Sequence, residues 1–135
     1  MNNTSDDGGA ISNQGEVRAS DTSFIDNKVE SRTDPGLGPV SRGGAVFSNG
    51  TVNLDRVLFE ENEATGGGGL FNTGTATIED STFSNNTASL DGGAVFSNGT
   101  VNLDRVLFEE NAAFRGGGLF TTDTATIEDL ALIHI

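Results

Sequence analysis

The chain contains no Cys, no Trp and no Tyr, only two Pro, and a single His. Without Cys there is no disulfide framework, no thiolate metal site and no thiol nucleophile. One His leaves no multi-histidine zinc site. Basic residues are scarce as well: 7 Lys plus Arg stand against 20 Asp plus Glu, for a formal net charge of -13. A surface of that sign repels nucleic acid phosphates and anionic lipid headgroups, so nucleic acid is excluded as a partner and direct membrane insertion is not expected. No apolar run approaches the length of a membrane span, and Met1 to Asp7 lacks the basic and apolar regions of a secretory signal. Apolar residues make up 34% of the 135 positions, too few for a conventional compact core.

What is abundant is repetition. At an offset of 49, all 20 positions from Gly43 to Asn62 are identical to Gly92 to Asn111. Within that unit lies a shorter period, because Gly43-Gly44-Ala45-Val46-Phe47 returns at Gly67 to Phe71, Gly92 to Phe96 and Gly116 to Phe120, in steps of 24, 25 and 24 residues. An earlier copy opens at Gly8-Gly9-Ala10-Ile11. A Phe follows 16 residues after the first Gly, with Asn three further on: Phe24 with Asn27, Phe59 with Asn62, Phe83 with Asn86, and Phe108 with Asn111. Leu132 and Ile135 occupy those places in the fifth copy.

A period near 24 whose segments alternate apolar and polar residues predicts a solenoid of strands, each coil burying its apolar side against its neighbours. Thr51-Val52-Asn53-Leu54 and Thr75-Ala76-Thr77-Ile78 show the alternation. Three strands per coil predict an all-β parallel β-helix of about five coils of 24–25 residues, starting at 8, 43, 67, 92 and 116, as a single unit over 1–135. Stacked coils about 4.8 Å apart turn equivalent residues into columns. Val17, Val52, Ala76, Val101 and Ala125 should point inward, with Ala19, Leu54, Ile78, Leu103 and Ile127. Phe24, Phe59, Phe83 and Phe108 should form an aromatic stack, and Asn27, Asn62, Asn86 and Asn111 an amide ladder. Residues 28–42 read as an inserted loop that holds both prolines and could carry recognition.

Gly-Gly-Ala-Ile or Gly-Gly-Ala-Val followed by Phe-x-x-Asn resembles the repeat of the chlamydial polymorphic outer-membrane proteins and related surface proteins. The match lies at Gly8 to Ile11 with Phe24 to Asn27, Gly43 to Val46 with Phe59 to Asn62, and Gly92 to Val95 with Phe108 to Asn111. Coils three and five carry Gly-Gly-Gly-Leu instead. The resemblance implies a right-handed β-helix passenger, extracellular or displayed at the outer membrane and associated with adhesion. On this reading the chain is a segment of a longer autotransporter-like protein, and its partner is a protein or glycan of a host or neighbouring cell.

Two columns are candidate sites. Alternation places Val46, Leu70, Val95 and Leu119 inside, so Phe47, Phe71, Phe96 and Phe120 should face outward, where an aromatic ladder could stack on sugar rings or grip a protein. The competing reading has these rings turned inward by a bulge or covered by another segment. Asp55, Glu79, Asp104 and Glu128 form an acidic column, whose mutual repulsion calcium would relieve; Arg56, Asp80, Arg105 and Asp129 alongside supply a rival countercharge. No other cofactor is expected. A polysaccharide-processing enzyme and an ice- or surface-binding face are the alternatives. The first needs an asymmetric pair of carboxyls where the repeat supplies duplicates, and the second needs complete Thr ranks where Thr75 and Thr77 alternate with Thr51 and Asn53. Leu130, Leu132, Ile133 and Ile135 make one end apolar, so end-to-end self-association is expected. His134 has no assigned role.

Overall fold

A computed structural model describes residues 4–5, 7–29, 32–34 and 38–133. His134 and Ile135 lie outside the described residues. Three parallel sheets of five strands each form a β-solenoid. The first contains Ile11–Asn13, Val46–Ser48, Leu70–Asn72, Val95–Ser97 and Leu119–Thr121. The second contains Glu16–Ser20, Thr51–Asp55, Thr75–Glu79, Thr100–Asp104 and Ala125–Glu128. The third contains Ser23–Ile25, Leu58–Glu60, Thr82–Ser84, Leu107–Glu109 and Ala131–Ile133. The chain visits the sheets in that order and then climbs to the next coil.

Pairing follows the sequence repeat residue for residue. Val46 pairs with Ile11 and Leu70, Leu70 with Val95, and Val95 with Leu119. Strand alternation then sorts side chains into two faces. Inside, Val46, Val52, Phe59, Leu70, Ala76, Ile78, Phe83, Val95 and Val101 are fully buried in one continuous cluster. Each inward side chain meets its own equivalent above and below, which is how a chain with so few apolar residues fills its interior. The Phe rings stack at 5.0, 4.5 and 5.2 Å between centroids from Phe24 through Phe59 and Phe83 to Phe108. Burying each ring contributes roughly 1.5–3 kcal/mol, and each stacked pair about 0.5–1.5 kcal/mol more.

A fourth, narrower sheet closes each coil, where three strands per coil are expected from the sequence. It holds Thr4–Ser5, Lys28–Val29, Glu63–Gly66 and Thr87–Asp91, extended by single bridges at Ala112 and Arg115. Lys28 and Val29, read with the insertion, belong to this strip, and Lys28 pairs with Glu63. At the other end of the insertion, Arg42 bridges Asp7 and Gly66. Between them, Arg32–Asp34 and Gly38–Val40 pair as antiparallel strands.

The corners between sheets are tight. Asp21, Arg56, Asp80, Arg105 and Asp129 all have φ of 46–53°, and Asp26, Glu61, Asn85 and Glu110 have φ of 52–55°. The left-handed conformation aims these polar side chains away from the core. Asn and Asp accept it more easily than Arg and Glu do.

Candidate functional site

The acidic column stands at the end of the second sheet. Asp55 pairs with Glu79, Glu79 with Asp104, and Asp104 with Glu128. The left-handed corner one residue on puts two arginines among them. Arg56 makes a bidentate contact with Asp21 at 2.8 and 3.1 Å and reaches Asp55 at 2.5 Å. Arg105 holds Asp80 at 2.6 and 3.1 Å and also bonds Asp104. Hydrogen bonds from Arg56 and Arg105 hold the carboxyls of Asp21 and Asp80 below the usual range, and both guanidiniums are pushed further up. Arginine is thus the countercharge present at Asp55 and Asp104. Among the described residues no three His, Cys, Asp or Glu side chains converge as a metal site. One corner along, a hydrogen bond with Asp26 raises Glu61 above the usual carboxylate range.

Phe47, Phe71, Phe96 and Phe120 stack at 5.7, 4.4 and 5.5 Å with interplanar angles of 14–25°. All four are half-buried. Their ring faces are turned toward one another along the solenoid axis, so the rims face outward. The side chains preceding the glycine corner cover part of the ladder. Arg42 lies 4.8 Å from the Phe47 centroid and 5.9 Å from that of Phe71, and Arg115 lies 4.9 Å from Phe120. Asp7 and Asp91 fix these guanidiniums by bidentate bonds of 2.6–2.9 Å. At the intervening position stands Gly66, where a Cβ would come within 3.2 Å of the Phe71 ring. Sequence alternation assigns the side of the sheet but carries no information on ring rotation. Phe71 and Phe96 each have a neighbouring ring on both faces and so present an edge outward.

The outer face of the second sheet offers something different. Between the rank Asn53, Thr77, Asn102, Thr126 and the acidic rank runs a groove parallel to the axis. It opens into two clefts of about 530 and 220 Å³. Asn53, Leu54, Asp55, Thr77 and Glu79 line the first, together with Ala19, Ser20 and Arg18, the last of these paired with Glu16; the equivalents 49 residues on, Asn102, Leu103, Asp104, Thr126 and Glu128, line the second, which shares Thr77 and Glu79 with the first. Sequence reading weighs Asn53, Thr77, Asn102 and Thr126 as an incomplete Thr rank and Asp55, Glu79, Asp104 and Glu128 as an acidic column, and does not join the two ranks, since the clefts between them follow from stacking.

The interior ladders are built from the repeat motifs. Asn62 donates through Nδ2 to Asn86 Oδ1 at 2.9 Å and to Phe24 O at 2.9 Å, and Asn86 does the same to Asn111 Oδ1 and Phe59 O. A second polar ladder, visible in sequence only as an alternation of Asn and Ser, joins Asn13 to Ser48 and Asn72 to Ser97. At the corner, Gly92 has a φ of 65°, and a Cβ there would stand 2.4 Å from Val95 O. Phe83-x-x-Asn86 and Gly92-Gly93-Ala94-Val95 therefore mark the aromatic stack, the amide ladder and the turn. Residues 80–98 match the Chlamydia polymorphic membrane protein repeat. Comparisons with curated proteins and with solved structures give no match. Within this polymorphic membrane protein repeat, Phe83 and Asn86 are fully buried and Gly92 sits where a side chain is excluded. The motif's recurring residues thus build the coil and leave the outward positions free to vary.

Proposed function

We propose that the chain is a non-catalytic structural and adhesive module, displayed on a cell surface as a stiff rod. The match of residues 80–98 to a polymorphic membrane protein repeat supports the surface setting. The observation that carries the adhesive reading is the unbroken coil-to-coil register of the second sheet, Asn53 with Thr77, Thr77 with Asn102 and Asn102 with Thr126. A contact made by one outward position is offered again further along the same face, so weak contacts add through effective concentration. Catalysis instead requires two carboxyls in unlike environments, whereas Asp55 and Asp104 recur in matching surroundings with matching arginines.

The test is attachment. Beads coated with the chain should adhere to epithelial cells under flow, and the soluble chain added in excess should release them. Beads that adhere no better than those coated with an unrelated acidic protein would overturn the reading.

A further inference from the structure

Among the described residues, most polar side chains of this solenoid have partners within the chain. The interior amides bond coil to coil, and at the corner of the first sheet Thr73 donates to Asn49 at 2.8 Å and Thr122 to Asn98 at 2.6 Å. Asp21 and Asp80 are held by arginines. Along the outer face of the second sheet a whole rank is left without such partners. Among the described residues, the side chains of Asn53, Thr77, Asn102 and Thr126 make no hydrogen bond within the chain, and Glu79 and Glu128 join no ion pair. Asn53 and Asn102 are half-buried, standing against a floor of strands whose own side chains, Leu54, Ile78 and Leu103, point into the core.

We propose that this groove binds an extended, uncharged polysaccharide. The proposal rests on the adhesive reading for where such a ligand is met, and gives it a ligand class. Four properties of the groove select that class. It is continuous along the axis, so its occupant is extended. One wall offers amides and hydroxyls and the other carboxylates, a set that donates to and accepts from sugar hydroxyls at closely spaced points. Arg56 and Arg105 offset Asp55 and Asp104, but Glu79 and Glu128 have no ion-pair partner among the described residues, and with a chain net charge of -13 they disfavour sulfated and uronic acid polymers. Finally, the inner strands have both backbone edges paired to neighbours, so a peptide cannot join the sheet as an added strand there. The cleft recurs every two coils, about 9.6 Å from twice the strand spacing, a length that two linked pyranose rings span. With no aromatic side chain in its lining, each cleft holds its sugar by hydrogen bonds alone. Affinity should therefore be weak for one unit and rise with chain length.

The experiment is a titration of the full chain with disaccharides and octasaccharides of several uncharged glycans and of heparin. An uncharged octasaccharide should bind at least about tenfold more tightly than its disaccharide, and heparin should not bind. The double variant Asn53→Ala with Asn102→Ala should weaken the octasaccharide by about tenfold. Asn49→Ala with Asn98→Ala, outside the groove, should not, and thermal melts establish that both variants fold. The proposal is overturned if no uncharged octasaccharide binds, if heparin binds as well, or if the groove variant binds like the parent. Bead attachment separates the two readings. Attachment without glycan binding leaves adhesion standing and removes the groove; glycan binding without attachment does the reverse.

Discussion

Replacing Asn86 with Ala tests whether the interior amide ladder is a structural necessity. Asn86 is fully buried. Its Nδ2 donates to Phe59 O at 2.9 Å and Asn111 Oδ1 at 3.0 Å, and its Oδ1 accepts from Asn62 N at 3.1 Å and Asn62 Nδ2 at 2.9 Å. Asn62 Nδ2 keeps Phe24 O as a second partner, but the Asn62 amide N–H loses its side-chain acceptor. A buried donor left without a partner costs about 1–3 kcal/mol, and each further bond lost about 0.5–1.5 kcal/mol. The expected destabilisation is therefore about 2.5–7.5 kcal/mol, a large share of the roughly 5–15 kcal/mol that holds a domain folded. At about 2.1 cal/mol/K per residue, 135 residues give an unfolding entropy near 0.28 kcal/mol/K. About 4 kcal/mol then lowers the melting temperature by about 14 °C. The assay is a circular-dichroism melt beside Asn102→Ala, an outward Asn whose loss should move stability by no more than about 0.5 kcal/mol. A melt of Asn86→Ala within two or three degrees of the parent would refute the argument.

The remaining predictions use other parts of the coil. Phe83→Ala removes the ring packed 4.5 Å from Phe59 and should cost about 3–5 kcal/mol in chemical denaturation, with Phe83→Leu costing distinctly less. Gly92→Ala forces a Cβ to 2.4 Å from Val95 O and should abolish the cooperative melt, while Gly15→Ala, with nothing within 4 Å, should leave it in place. The carboxyls of Asp21 and Asp80 have lowered pKa in the folded chain, so their contribution is present above the unfolded value of about 3.9 and is lost as pH falls through the folded one. NMR titration should show both midpoints below the usual Asp range, and Arg56→Gln should return Asp21 alone to it. Because arginines already stand beside Asp55 and Asp104, the melting temperature should be the same in calcium and in chelator; a marked rise in calcium would place a cation in the acidic column.

The three large sheets are legible in the sequence because alternation within Thr51 to Leu54 and identity between coils both report the same packing. Phe83 and Asn86 announce themselves by spacing alone. The narrow fourth sheet is not legible, because the run from Asn to the following Gly has no fixed length: five residues from Asn62 to Gly67, six from Asn86 to Gly92, five from Asn111 to Gly116. A bulge between Ala64 and Gly66 absorbs the difference. In the Phe47 column the alternation is legible in the sequence and the way the rings are presented is not. Alternation is a property of the backbone, while the presentation of the rings depends on what packs against them, here Arg42 on Phe47, Arg115 on Phe120 and the bare Gly66 beside Phe71. The groove was hidden for another reason, since Asn53 and Thr77 are 24 residues apart in sequence and become one wall only when Asn53 pairs with Thr77.

The backbone hydrogen bonds of this solenoid run from one coil to the next, as from Gly67 N to Asp91 O and Gly92 N to Arg115 O. A pull applied to the two ends of the chain therefore acts along those bonds and opens them a coil at a time, rather than shearing all of them together. Each coil that opens shortens the rod by about 4.8 Å and frees a strand of some 24 residues, about 80–85 Å when taut. Under tension the rod would behave as a spool, lengthening many-fold before its anchorage bears the full load, with each rank of stacked Phe and Asn as the catch that must slip before the next turn unwinds.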